Sequence, residues 1–331
     1  VKSGRAELLN EEQDVLLRAV DAYMGVVEAQ SVLELSRQNL GVLQQQQTAA
    51  RERFNVGEVT RTDVAQSDAR VAQADSGRIR AQGELETARA LYKRTIGIEA
   101  TNVVLPAALP DVPTSMEEVV KTALQSSPLL VAAKYRKVSA DYDVNSQLGA
   151  LLPSVSLDAA MRRDEGTGVS GASSFDTDSL LVNFSIPLYQ SGAQHSRVRA
   201  AKDTHQQRKF EYADTEREIH QRAIQAWENL ETTRATITSN QAAIDAARIA
   251  LDGVKQEHQY GSRTTLDVLD AEQELFQTQV NLVRSQRDQV VAVFNTLAVM
   301  GQLTADNLQL PVEVYDPDEH YDSVKYRLLG F

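Results

Sequence analysis

The chain repeats itself without a gap, and that repeat limits the possible folds more than any single motif. The segment Phe54-Asn55-Val56-Gly57-Glu58-Val59-Thr60-Arg61-Thr62-Asp63-Val64 returns as His258-Gln259-Tyr260-Gly261-Ser262-Arg263-Thr264-Thr265-Leu266-Asp267-Val268, at an offset of 204 residues. The same register pairs Glu12 with Glu216, Arg18 with Arg222, Ala22 with Ala226, Gln73 with Gln277, Arg80 with Arg284 and Gly97 with Gly301. About a hundred residues are duplicated with no insertion, which marks a rigid, length-critical unit. Long helices whose side chains must stay in register impose that constraint; surface loops tolerate insertions.

The hydrophobic spacing agrees. Leu9, Leu16 and Tyr23 recur at sevens, and Val26, Leu33 and Leu40 do so on a shifted stripe, as antiparallel coiled-coil packing requires. A helix from residue 1 to about 54 would run roughly 80 Å at ~1.5 Å per residue. Gly57 breaks it, Thr60 opens a return helix to about Ile96, and Gly97 stops that one. Residues 1–97 thus read as a first helical hairpin with its turn at 55–61. Residues 98–150 form a connection carrying Pro106, Pro110 and Pro113, followed by helices at 115–125 and from Pro128 to about Ala150. Residues 191–301 are a second hairpin with its turn at 259–264, and Ala223, Leu230, Ile237, Ile244 and Leu251 hold a strict seven-residue stripe. Residues 302–331, with Pro311 and Pro317, read as an irregular tail. Aromatics at only 5% suit long helices better than a compact core.

Between the hairpins, at 151–190, the period falls to two. Val155, Leu157, Ala159 and Met161 alternate with polar residues, as do Leu180, Val182, Phe184, Ile186 and Leu188, with Leu181 the exception. These are two half-apolar strands joined by a Gly/Ser-rich loop, 162–177. Two strands alone are not stable in water. Either several chains pair their edges or further strands complete the sheet. No apolar run reaches about 18 residues, so no transmembrane helix is expected, but a transmembrane β-barrel fits the alternating pattern.

A formal net charge of −12 leaves no basic stripe for nucleic acid. The chain has no cysteine, so neither disulfides nor thiol chemistry is available. It begins at Val1 without an initiator methionine or signal peptide and reads as a processed or truncated product. His195, His205, His220, His258 and His320 are scattered, no metal-ligand spacing or cofactor motif occurs, and no nucleophile motif is present. An enzyme is not expected, nor a cofactor or metal. Trp227 falls in register with Tyr23 and reads as a packing residue.

The two turns carry the remaining signal. Thr60-x-x-Asp63 and Thr264-x-x-Asp267 have the form of capping boxes, and Gly57 and Gly261 suit the left-handed residue that ends a helix. The copies differ at Arg263, where the first has Val59, and at Asp270, where the first has Gln66. Asp267 and Asp270 lie three apart on one helix, so both project to one side. Such a pair is commonly a solvated face. In a symmetric oligomer with these ends at the axis it becomes a ring of negative charge that selects cations and narrows a pore. Arg263 is then a natural partner for an acid on the neighbouring hairpin.

At these turns the chain resembles the TolC-like outer-membrane efflux family. Arg53-Phe54-Asn55-Val56-Gly57, Thr62-Asp63-Val64, Gly261-Ser262-Arg263-Thr264 and Leu266-Asp267-Val268-Leu269-Asp270-Ala271 carry the resemblance. Leu152-Pro153-Ser154 and Pro187-Leu188-Tyr189-Gln190-Ser191-Gly192 add to it, and it extends to about residue 312. It implies a mainly α, duplicated protein: long coiled-coil hairpins forming an α-barrel in the periplasm, with a short transmembrane β-barrel segment. It also implies a homotrimer in the outer membrane of a Gram-negative bacterium, in contact with lipid. A periplasmic adaptor and an inner-membrane transporter, ABC-type for protein secretion (type I) or proton-driven for small-molecule efflux, would recruit it. In the family the helical turns close the periplasmic entrance. Asp267 and Asp270 then resemble the aspartate rings of the constriction, and Arg263 resembles an arginine bridging to the outer hairpin, with Thr62 and Asp63 matching its acceptors. A family member matched on this motif has tyrosine where this chain has His258, a difference that either removes one link of the gate or makes it responsive to pH. The resemblance further implies a helix and two strands ahead of residue 1, which makes the chain N-terminally truncated. A soluble coiled-coil scaffold binding partner helices is the alternative, and the alternating strands argue against it.

Overall fold

The computed structural model describes residues 1–168, 171–313 and 315–326. Its elements are α1 (Lys2–Asn55), α2 (Arg61–Ile96), α3 (Met116–Ser126), α4 (Pro128–Gly149), β1 (Ser154–Gly168), β2 (Gly171–Ser185), α5 (Ala193–Gln259), α6 (Thr265–Val299) and α7 (Pro317–Val324). The fold is mainly helical, and no helix among the described residues is long and apolar enough to cross a membrane. Two compact units result: Val1–Gly4 with Leu129–Glu216, and Arg5–Pro128 with Arg217–Phe331.

The larger unit holds the duplicated turns. Its core joins Met24, Val26 and Leu33 of α1 to Ala81, Leu85 and Tyr92 of α2 and to Val280 and Val290 of α6. On α5 the heptad residues Ala223, Leu230, Ile244 and Leu251 are buried, and Leu230 packs on Ala292 and Val293 of α6. Burying each large aliphatic side chain contributes about 1.5–3 kcal/mol, so the helices are held by packing along their length rather than by propensity. The connection after α2 closes over this core. Val103 is buried, and the Tyr23 hydroxyl donates to the Val104 carbonyl at 2.9 Å and accepts from the Val104 N–H at 3.1 Å. At the other end of the chain the Ala305 N–H donates to Glu12 Oε1 at 2.7 Å, seating the post-α6 segment on α1.

The smaller unit pairs β1 and β2 as one antiparallel ribbon. Its register sets Val155 opposite Phe184, Leu157 opposite Val182 and Ala159 opposite Leu180 on one face. The other face is polar apart from Ala160 and Leu181, with Asn183 donating to Asp158 at 2.6 Å. Val155, Leu157, Leu180, Val182 and Phe184 are all about two-thirds exposed or more, so a whole apolar face is uncovered within one chain. In the same unit, Leu130, Ala132 and Ala140 of α4 and Val198 of α5 are buried, and Gln194 donates to the Gln147 carbonyl at 3.0 Å.

Two expectations are corrected. Residues 162–177, assigned to a loop, instead continue the ladder to Gly168 and from Gly171. Gly and Ser lower strand propensity but do not prevent pairing once the register is set, and Arg163 stands opposite Asp176, an opposite-charge pair at 3.7 Å. The loop centre at 169–170 lies outside the described residues. The tail at 302–331 is not wholly irregular, because α7 forms from Pro317; proline is tolerated at a first helical position, where its missing N–H is not needed. Residues 314 and 327–331 lie outside the described residues.

Candidate functional site

The two turns are built alike. Gly57 and Gly261 have φ of 82° and 78°, and their N–H groups each donate at 3.0 Å to the residue three back, Phe54 and His258. Thr60 (φ −87°, ψ 163°) and Thr264 (φ −88°, ψ 161°) are N-caps in extended conformation. In each case the capping box closes. Asp63 Oδ2 accepts from the Thr60 N–H at 2.8 Å, and Asp267 Oδ2 from the Thr264 N–H at 2.8 Å. The Thr264 N–H, then its hydroxyl, and more weakly the Arg263 guanidinium, hold the Asp267 carboxyl below the usual carboxylate range. Capping therefore accounts for Gly57, Thr60, Asp63, Gly261, Thr264 and the geometry of Asp267. Thr62 is exposed on the first turn of α2.

At the turn end, His258 and Asp270, which differ from their equivalents in the first copy, contact the first hairpin. His258, half-buried in the last turn of α5, places Nε2 2.9 Å from Arg53 Nη1 and Nδ1 2.9 Å from the Arg263 carbonyl oxygen. A guanidinium only donates and a carbonyl only accepts, so this geometry requires a neutral imidazole with its proton on Nδ1. One turn into α6, Asp270 accepts a charge-assisted hydrogen bond from Arg70 of α2. Arg263 Nε donates to Glu257 Oε2 at 2.7 Å, a bond that holds its guanidinium more firmly protonated. Within one chain Arg263 therefore serves its own turn and does not meet Thr62 or Asp63, and Asp267 and Asp270 engage different partners.

Sequence reasoning missed Arg53 and Arg70, although the repeat held a signal. Their equivalents at the 204-residue offset are Glu257 and Glu274. At both positions the first copy carries the cation and the second an anion, so the charges cannot pair symmetrically. The arginines of the first hairpin reach to the second, at His258 and Asp270.

One ion pair internal to each hairpin repeats between the copies. Arg51 bonds Asp68 at 2.8 Å across α1 and α2, and the equivalents Lys255 and Glu272 lie 2.7 Å apart across α5 and α6. Asp68 is 45% exposed, whereas Glu272 is only 8% exposed. Truncating Lys255 leaves a buried carboxylate without its counter-charge. Lys255→Ala is expected to destabilise the protein by about 3 kcal/mol, and Arg51→Ala by less than about 1 kcal/mol. Denaturant unfolding of the two variants checks this; equal losses would contradict it.

Comparison with known proteins identifies the family. Residues 119–302 match the family model described as outer membrane efflux protein. The chain is 36% identical over 330 residues to outer membrane efflux protein BepC of Brucella suis, covering all of this chain and 72% of BepC. It is 23% identical over 314 residues to outer membrane protein TolC of Escherichia coli, covering 90% of this chain but 63% of TolC. The chain thus spans under two-thirds of TolC's length. Its fold matches the solved structure of the outer-membrane channel OprN with a TM-score of 0.78 at 21% identity, over 91% of this chain and 68% of that one. With an uncovered apolar ribbon, in-register helical hairpins and this full-length similarity together, the chain belongs to the outer membrane efflux protein family.

Proposed function

We propose that the protein is an outer-membrane exit duct for proteins or small molecules, closed at its periplasmic entrance by the two helical turns. It works as a homotrimer, recruited by a periplasmic adaptor and an inner-membrane transporter, and conducts rather than catalyses. The uncovered face of β1 and β2 is the lipid-facing part of a shared barrel, and the hairpins are the periplasmic wall. Relatives named as efflux and secretion proteins support the transport reading.

The observation that carries the gate is the pair of contacts between hairpins at the turn end, Arg53 with His258 and Arg70 with Asp270. Separating the second hairpin from the first breaks both. Arg263, held by Glu257 within a chain, exchanges that partner for Thr62 and Asp63 of an adjacent copy, and Asp267 and Asp270 of three copies ring the constriction.

The full-length protein is expected to fractionate with outer membrane and to require detergent. In planar bilayers, Arg53→Ala combined with Arg70→Ala is expected to raise resting conductance by about threefold or more, as loss of charged gating contacts does. Unchanged conductance would sink the gate. Recovery of full-length protein in the soluble fraction would favour the scaffold alternative.

A further inference from the structure

The geometry points to Arg70 as the residue that sets the ionic selectivity of the entrance, by masking Asp270 while the hairpins are together and uncovering it when they part. The inference rests on the proposed duct and goes beyond it. A constriction lined by carboxylates attracts cations in proportion to its uncompensated charge. Asp267 spends its carboxylate on the cap of α6 and has Arg263 for a charged neighbour. Glu257 is occupied by Arg263. Asp270 is different. It is not part of a cap, its side chain is 55% exposed, and the cation bonded to it comes from another helix, α2.

The duplication shows that this pairing is specific to one direction. Asp270 replaces Gln66 of the first copy, and Arg70 is replaced by Glu274 in the second. Transposing the contact through the repeat gives Glu274 with Gln66, which carries no ion pair. Both partners are thus present only where they meet, between α2 and the second turn of α6. An exposed ion pair contributes little to overall stability, so the pair adds only a modest share to closure of the gate. Its charge consequence is large. With Arg70 in place each copy presents no net charge at this level, and with Arg70 withdrawn each presents one carboxylate. In a threefold ring three charges appear together on opening. Cation attraction is therefore coupled to the open state, and the resting entrance does not hold periplasmic cations tightly.

The test uses full-length protein in planar bilayers, with hexamminecobalt(III) as a trivalent blocking cation and the reversal potential in a potassium chloride gradient. Arg70→Gln is expected to tighten block by about tenfold and to shift the reversal potential towards potassium, as three uncovered charges at short range require even with screening. Arg70→Lys is expected to stay near wild type. The exchange Arg70→Asp with Asp270→Arg preserves the pair and is expected to be blocked within about twofold of wild type. Unchanged block in Arg70→Gln overturns the assignment, and so does loss of block in the exchanged pair, which would place Asp270 in the lumen unmasked. A wild-type protein that forms no channel overturns the duct itself, a result distinct from both.

Discussion

Gly301→Ala is expected to destabilise the protein by about 4 kcal/mol, near the upper end of single-substitution effects. The same replacement at Gly97, its equivalent in the first copy, is expected to cost about 1 kcal/mol. Both glycines end the return helix of a hairpin in the left-handed region, with φ of 91° at Gly97 and 76° at Gly301. An L-residue there is strained by roughly 1–2 kcal/mol, which both positions share. The surroundings differ. A Cβ at Gly97 meets nothing within 4 Å, whereas at Gly301 it falls 2.3 Å from the Ser126 carbonyl oxygen and 2.8 Å from its carbon. That obstacle is backbone, at the end of α3, and cannot rotate away as a side chain would. The chain must move where Gln302 N–H bonds the Leu297 carbonyl at 2.8 Å and where Leu303 is fully buried. Thermal loss of helical circular dichroism in detergent compares the two variants directly, and equal melting shifts would show that strain alone matters.

The same two glycines mark how far the sequence carries. Their role as helix stops is legible, because a glycine after a long periodic run has few other readings. The approach of Ser126 to one of them is not, since nothing in the local pattern around residue 301 encodes a contact made 175 residues earlier in the chain. The hairpins, the turn at Gly57 and its twin at Gly261, and both capping boxes follow from local chemistry: φ above zero needs glycine, and a Thr with an Asp three residues on satisfies the first turn's N–H groups. The strands are legible from alternation, but their length is not, because the polar residues from 162 to 177 resemble a loop while the ladder depends on backbone pairing.

The candidate site divides in the same way. Asp270, Arg263 and His258 stand out because they break the repeat, and Asp267 because it repeats Asp63 in the cap. Their partners Arg53 and Arg70 sit on α1 and α2 among many other exposed charges. Helical periodicity gives the face of each helix but not the rotation of one hairpin against another. Only the assembled unit shows that Arg70 meets Asp270, 200 residues away, and that Arg263 turns back to Glu257. Opposite charges at equivalent positions of a duplication, Arg53 with Glu257 and Arg70 with Glu274, are a sequence-level mark of hairpins that bind each other rather than themselves.

Losing the His258 contacts is expected to open the entrance. The imidazole accepts from Arg53 on one nitrogen and donates to the Arg263 carbonyl from the other, so it ties α1 of the first hairpin to the turn of the second. His258→Phe, which can do neither, is expected to raise resting conductance in planar bilayers severalfold, as loss of a gating contact does. His258→Gln, which can accept from Arg53 and donate to the Arg263 carbonyl, is expected to stay closed. The cap of α6 is a separate contribution. The Asp267 carboxyl is depressed by the cap, so that contribution is present above the ordinary carboxylate range and is lost only as pH falls through the lowered value. Resting conductance in His258→Phe equal to that of the unsubstituted protein would leave the Arg53 contact without a gating role.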